Sequence, residues 1–184
     1  MAILPIVTYN DDVLREKAKP VTEFNEETKE LIDNMFETMY NSDGVGLAAP
    51  QIGVSLRIFV IDADNMLEEE DEKPGPLAFI NPEIVEKSGR KIPLDEGCLS
   101  IPEVTDKVIR PEGVKVTFKD QNFEDREIDA DGWVSRVIQH EYDHLEGILF
   151  IDYLSLFRKR MHKNDLKEIE EGKREVKYPV RPKL

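Results

Sequence analysis

The first amphipathic pattern in the chain predicts a helix near the amino terminus. Apolar residues recur there at helical spacing, as Leu31, Ile32, Met35, Phe36 and Met39. Asn25 can cap this helix, and Glu26 and Glu27 follow in its first turn, where acidic side chains suit the helix dipole. Residues 42–44, with the sequence Ser-Asp-Gly, then end the helix.

The middle of the chain has strand character instead. Short β-prone runs are separated by Gly, Pro, Asn and Asp, which is typical of antiparallel strands joined by turns. The predicted strands cover residues 56–61, 77–80, 83–86, 114–119 and 126–129. These strands follow one another along the chain and precede the last predicted helices, which indicates that they form one sheet region.

Two further helices are predicted in the last third. One begins near Gly132, ends near Gly147, and has an apolar face made by Trp133, Val134, Val137, Ile138 and Leu145. Ser155 can cap a last helix that reaches about residue 171. The predicted class is therefore α+β: short, mainly antiparallel sheets packed around a central helix at 132–147, with an N-terminal and a C-terminal helix.

Length and charge define the expected domain organisation. The 184 residues include 25 basic and 39 acidic side chains, a net charge of −14. Residues 158–184 carry a net +5, so residues 1–157 carry −19. We expect one domain over 1–184, with a basic C-terminal helix and tail at 155–184. Five adjacent acidic residues at 68–72 repel one another and predict an acidic surface loop at 62–76.

Composition also excludes several classes of protein. With 40% hydrophobic residues the chain can bury a core, and a single cysteine cannot form an internal disulfide. No apolar run approaches the ~20 residues that span a bilayer, and no secretory signal is visible at the amino terminus. The net charge of −14 disfavours broad nucleic-acid binding. We expect a cytoplasmic protein with no membrane association and no specific DNA binding.

The strongest chemical motif is an HExxH sequence in the predicted central helix. His140 and His144 lie four residues apart, so both imidazoles fall on one helix face and can bind one metal ion. Glu141 can then act as a general base. The alternative is an amphipathic helix with two ordinary histidines, but the chain has only three. The third, His162, lies among basic residues and is interpreted as solvated.

A catalytic metal ordinarily has three protein ligands, and Cys98 is the candidate for the third. It lies in a short segment between Gly97 and Pro102, where the backbone can approach a ligand closely. Two alternatives stay open for a lone cysteine. It can be an inert buried side chain, or the nucleophile of a Cys-His pair.

A third segment, residues 44–53, is rich in glycine and small residues and has one neutral amide. That amide belongs to Gln51, which can donate a hydrogen bond to an oxyanion when a carbonyl is attacked. A glycine-rich turn by itself is weak evidence for a binding site, and this one lacks the phosphate-binding fingerprint.

The three motifs together resemble the signature motifs of the peptide deformylase family. They are Gly-Val-Gly-Leu-Ala-Ala-Pro-Gln at 44–51, Glu-Gly-Cys-Leu-Ser at 96–100 and Gln-His-Glu-Tyr-Asp-His-Leu at 139–145. Their order and spacing match the family, and the resemblance extends from about residue 5 to 156. The chain departs from familiar members at Trp133 and Arg136, near the expected pocket.

The resemblance implies a metal-dependent hydrolase of protein biosynthesis that removes the N-formyl group from the N-terminal methionine of new proteins and releases formate. A water on the metal would attack the formyl carbon, with Glu141 as general acid and base. Gln51 and the Leu99 backbone N–H would hold the oxyanion. The implied cofactor is one divalent ion, Fe²⁺ in bacterial cells, with Ni²⁺, Co²⁺ or Zn²⁺ in purified protein.

The same resemblance assigns the remaining site residues. The methionine side chain and substrate backbone would be bound by Gly44, Val45, Gly46, Trp133 and Val137. Glu96 and Arg110 would form an ion pair that braces the cysteine loop. The implied partners are formyl-methionyl nascent peptides and, through the basic C-terminal helix, the ribosome near its exit tunnel.

Other functions also fit parts of the pattern. An HExxH metallopeptidase that cleaves ordinary peptide bonds is the nearest alternative. A cysteine hydrolase with Cys98 as nucleophile and a non-catalytic metal-bound module are the others. None of the three accounts for Gln51 and Leu99 together.

Overall fold

The computed structural model describes residues 1–183. The strands are β1 Ile6–Val7, β2 Gly46–Ala48, β3 Ile58–Ile61, β4 Leu77–Cys98, β5 Ile101–Lys119, β6 Asp125–Ala130 and β7 Val180–Arg181. The helices are α1 Glu26–Asn41, α2 Gly132–Leu145, α3 Leu156–Met161 and α4 Lys163–Glu170. The α+β class is confirmed.

One antiparallel sheet dominates the fold. Its strand order is β2-β3-β4-β5-β6, and a separate pair joins β1 to β7 in parallel. Helix α2 packs against β2, β3 and β5, so it lies across the sheet. The largest apolar cluster lies beneath it and contains Phe59, Phe79, Val116, Val137 and Ile138.

The first two predicted helices are confirmed. The Asn25 side chain accepts a hydrogen bond from the backbone N–H of Thr28 at 3.0 Å, which caps α1. Helix α2 begins at Gly132, and its C-terminal turn is followed by Gly147 at φ +74°. A Cβ at Gly147 would lie 2.6 Å from the Arg15 carbonyl oxygen, so this turn requires glycine.

The prediction of short strands holds for β3 and β6 but was wrong for β4 and β5. Strand β4 has 22 residues and β5 has 19, and they form one long hairpin. Pro82 and Gly89, which suggested breaks, instead fall at register shifts between Ile80 and Glu83 and between Ser88 and Lys91. A β-bulge absorbs a residue that cannot fit the regular ladder, so the strand bends and continues.

The prediction of one C-terminal helix was also wrong. Ser155 caps α3 through Arg158, as expected, but the helix stops at His162 and α4 begins at once. Lys159 and Lys163 would be like charges at i,i+4 in a continuous helix, which disfavours it. His162 is not solvated: its Nε2 lies 2.8 Å from Oδ2 of Asp106.

The acidic segment 62–76 connects β3 to β4, and residues 68–73 within it are exposed. It contains one 3₁₀ turn, Asp64–Met66, and the Asp64 carboxylate accepts from the Gly75 backbone N–H at 3.0 Å. Within residues 1–183, no helix is long and apolar enough to cross a membrane.

Candidate metal centre

The structure brings Cys98, His140 and His144 together. Their candidate ligand atoms all lie within 4.8 Å of one another, and Cys98 Sγ lies 3.4 Å from His144 Nε2. The two imidazoles come from one face of α2, with ring centroids 5.1 Å apart. Cys98 is the last residue of β4 and follows a register shift between Gly97 and Cys98.

A buried ion cluster fixes the orientation of His140. Its Nδ1 lies 2.9 Å from Glu96 Oε1, which leaves Nε2 for a ligand. Arg110 donates to both oxygens of Glu96 at 2.7 and 2.9 Å, and Arg136 donates to Oε2 at 2.9 Å. Arg110 also bonds Asp143 at 2.7 Å. The predicted Glu96–Arg110 pair is therefore part of a larger cluster behind the candidate ligands.

The electrostatics of the cluster favour an ionised Glu96 beside a neutral His144. Burial alone would raise the pKa of Glu96, but hydrogen bonds from His140 and Arg110 hold it well below the usual range. Burial holds the pKa of His144 well below its usual value. A neutral imidazole is the form that binds a metal.

These residues fit a transition-metal ion. A thiolate with two imidazoles is a donor set that suits zinc, iron, nickel or cobalt. The contact between His140 and Glu96 is the support that a ligand histidine ordinarily receives through its other ring nitrogen. The assignment of Cys98, His140 and His144 as ligands stays a prediction.

Glu141 is buried beside the candidate ligands, and one of its carboxylate oxygens has no hydrogen-bond partner among the described residues. That oxygen is Oε2, and burial raises the pKa of Glu141 to about 7. A Cβ at Gly46 would collide with its carboxylate, so glycine at this position lets β2 approach the glutamate. Glu141 can therefore exchange a proton near neutral pH with a molecule bound here.

The Gln51 amide is oriented by the backbone around it. Its Oε1 accepts from the Ala48 N–H at 2.9 Å, and its Nε2 therefore faces Cys98 Sγ at 3.5 Å and Ser100 Oγ at 3.4 Å. Leu99 follows directly in the connection between β4 and β5 and lines the same cavity. Both predicted oxyanion donors thus lie beside the candidate ligands.

A cavity of about 380 Å³ opens onto this centre. All five predicted substrate-binding residues line it: Gly44, Val45, Gly46, Trp133 and Val137. Met66 and Tyr178 also line the cavity, and Asp143 takes part in the ion cluster; none of these three roles was predicted from the sequence. Met66 and Tyr178 come from the acidic loop and the C-terminal tail, where no local pattern indicates an approach to the motifs.

Arg136, on the cavity wall, belongs to the same ion cluster. Its side chain is 4% exposed and also donates to the carbonyls of Val108 and Ile92 at 2.8 Å each. It therefore joins α2 to both long strands in addition to lining the cavity wall.

Comparison with known proteins agrees with these motifs. The family model described as polypeptide deformylase matches residues 3–160. A peptide deformylase of Salinibacter ruber is 50% identical over 183 residues, with 97% of this chain and 94% of that protein covered. Peptide deformylase 1 of Rickettsia conorii is 46% identical over 173 residues, covering 92% of this chain and 98% of the relative.

Solved structures show the same fold. The peptide deformylase of Ehrlichia chaffeensis in complex with actinonin has a TM-score of 0.86 at 38% identity, over 95% of this chain and all of that one. A Legionella pneumophila peptide deformylase has a TM-score of 0.83 at 42% identity, over 92% and 96% of the two chains. By family model, sequence identity and fold, this chain belongs to the peptide deformylase family.

Proposed function

We propose that this chain, an enzyme of the peptide deformylase family, removes the formyl group from the N-terminal formyl-methionine of new proteins and releases formate. The observation that carries the proposal is the position of Glu141. Its buried carboxylate has an oxygen without a partner among the described residues, and it lines the cavity together with His140 and Cys98. A carboxylate in this place suits proton transfer to and from a bound amide.

Cys98, His140 and His144 would hold one divalent ion, Fe²⁺ in the cell and Ni²⁺, Co²⁺ or Zn²⁺ in purified preparations. When bound, the ion would polarise the formyl group and make a water more acidic. The protein contributes the ligand geometry, and the cluster of Glu96, Arg110 and Arg136 keeps His140 in place.

Glu141 would move the proton in both halves of the reaction. It takes a proton from the attacking water and returns it to the amine that leaves, which otherwise departs as a costly anion. Its raised pKa of about 7 suits both directions near neutral pH.

Gln51 and Leu99 would stabilise the negative charge that develops on the formyl oxygen. Because Gln51 Oε1 is engaged by Ala48, its Nε2 is directed toward Cys98 and Ser100, beside the candidate ligands. The Leu99 backbone N–H would be the second donor. Removing one such donor typically lowers the rate ~10²–10³-fold.

Substrate binding would use the cavity wall and an open strand edge. Trp133 and Val137 provide apolar surface for a methionine side chain. Strand β2 lies at the edge of the sheet, so the adjoining residues 44–46 can pair with an extended peptide. Backbone pairing gives affinity that depends little on sequence, which suits an enzyme acting on many nascent chains.

The wider assignments follow from this function. Residues 1–184 would form one catalytic domain that works in the cytoplasm, where new chains emerge. The basic segment at 155–184 would dock on the ribosome through Arg160 and Lys163, which are exposed. Arg158 and His162 contribute less to such a surface, because both are engaged with Asp106.

The test is formate release from a formyl-Met peptide, with a matched variant. Glu141→Ala should retain bound metal and lose turnover by about 10²–10⁴-fold, because the proton carrier is gone. Glu30→Ala, which removes an exposed glutamate on α1, should leave turnover unchanged. Full activity in Glu141→Ala would remove this residue from the mechanism, and cleavage of an unformylated peptide would favour the metallopeptidase.

A further inference from the structure

The C-terminal tail returns to the candidate active site after α4. Residues 173–183, here called the strap, run from the end of α4 to the parallel pair of β7 with β1. The Ile6 N–H donates to the Pro179 carbonyl at 2.9 Å. The family model ends at residue 160, before the strap begins.

One strap residue reaches the wall of the cavity. Tyr178 lines it, and its hydroxyl donates to the Leu99 carbonyl at 2.8 Å. Its ring packs on the apolar cluster that also includes Leu99. Burial raises the pKa of Tyr178, so its hydroxyl stays protonated and remains a donor.

Leu99 needs such support because the sheet does not provide it. The ladder between β4 and β5 pairs Cys98 with Ile101 and leaves Leu99 and Ser100 as the connection between them. The Ser100 carbonyl accepts from the Tyr9 N–H at 2.9 Å, which fixes the second residue of the connection. The bond from Tyr178 fixes the first.

The strap also lies against the turn that carries Gln51. That turn ends at Gly53, which has φ +81°. A Cβ at Gly53 would collide with the Arg181 guanidinium, so the two segments are in close contact. Both proposed oxyanion donors are therefore flanked by residues of the strap.

We propose that Tyr178 is a positioning residue of the active site, which holds the Leu99 backbone so that its N–H points at the formyl oxygen in the transition state. The inference rests on the proposed function, because it gives the strap a part in that reaction. Tyr178 does not contact the reacting atoms in this account and acts only through Leu99. A donor must already point to where charge develops, since reorientation during the reaction reduces its effect.

Tyr178→Phe isolates the hydroxyl while it keeps the ring and its packing. We expect kcat for formyl-Met peptide to fall about tenfold, the loss for one weakened hydrogen bond in the transition state. KM should stay within about twofold, because the lost interaction acts on the transition state rather than on bound substrate. Metal content should not change, since no candidate ligand is touched.

Tyr40→Phe is the matched control. It also removes a phenol hydroxyl, one that donates to Asp62 at 2.7 Å, but from a half-exposed ring on α1. Its kcat and KM should equal those of the unmodified chain. An equal loss of kcat in both variants would show a general effect of loosened packing and would overturn the proposal.

Amide hydrogen exchange gives a readout that does not depend on turnover. In Tyr178→Phe, exchange in a peptide covering residues 97–101 should become faster, while exchange in α2 should stay as it is. An unchanged kcat, a change confined to KM, or unchanged exchange at 97–101 would each overturn the positioning role. If the unmodified chain releases no formate, the proposed function fails, and the exchange result still reports whether Tyr178 restrains Leu99.

Discussion

Two carboxylates that face each other across the long hairpin have different surroundings. Glu96 and Asp106 are cross-strand partners in the ladder of β4 and β5. Each is buried, and each contacts both an arginine and a histidine that lies on or beside a helix. At Glu96 the histidine is the candidate ligand His140, whereas at Asp106 it is His162 of the C-terminal segment.

The difference between them lies in the burial of the partners. Arg110 and Arg136 beside Glu96 have side chains only 5% and 4% exposed, whereas Arg158 beside Asp106 is 46% exposed. A buried charge that loses its partner cannot be compensated by water, but a half-exposed one can. We infer that the Glu96 cluster supports the candidate site rigidly. The Asp106 cluster holds the C-terminal helices to the hairpin more weakly.

The largest expected effect is that of Glu96→Gln. It leaves two buried arginines without their shared carboxylate, which should lower the free energy of unfolding by about 3 kcal/mol. His140 also loses its oriented acceptor, so bound metal should fall. Urea denaturation and metal analysis measure the two effects. A smaller loss of stability than in Asp106→Asn would contradict the contrast drawn from burial.

Asp106→Asn should lower the free energy of unfolding by less, about 1 kcal/mol, because water screens the charge of the half-exposed Arg158. Hydrogen bonds from Arg158 and His162 lower the pKa of Asp106 to about 2, although burial opposes them. The stabilisation is therefore fully present above the ordinary carboxyl pKa near ~4 and is lost as pH falls toward 2. The difference in urea midpoint between the two proteins should be constant from about pH 7 to 5 and shrink below ~4.

A constant difference in midpoint down to the lowest pH would show that the charge of Asp106 contributes nothing. Formate release at neutral pH is the second readout for this variant. Since the Asp106 cluster does not contact the candidate ligands, kcat and metal content should match those of the unmodified chain.

The smallest effect is expected for His162→Ala. It removes one hydrogen bond to Asp106 while Arg158 keeps its own, so unfolding should become easier by about 0.5 kcal/mol. This corresponds to a fall in Tm of about 1–2 °C for a domain of this size. Differential scanning calorimetry would detect it. A loss of unfolding free energy as large as that of Asp106→Asn would make His162, rather than Arg158, the main partner of Asp106.

Local patterns predicted much of the candidate site. His140 and His144 share a helix face because four residues make about one turn, and this holds wherever the helix lies. Gln51 and Cys98 were identified by their chemistry inside short motifs. The length of the strands could not be predicted in this way. Pro82 and Gly89 predict strand ends from local sequence, but in the structure they lie at register shifts where the β4–β5 pairing continues.

The sequence by itself determined the helix periodicity, the three motifs, the α+β class and the unequal distribution of charge. Only the tertiary structure decided which distant residues support them. Arg136 and Asp143 join the cluster behind His140, His162 turns to Asp106, and Tyr178 reaches Leu99 across 79 positions. A local pattern reports periodicity within a few turns, whereas these contacts depend on how the long hairpin, α2 and the strap pack together.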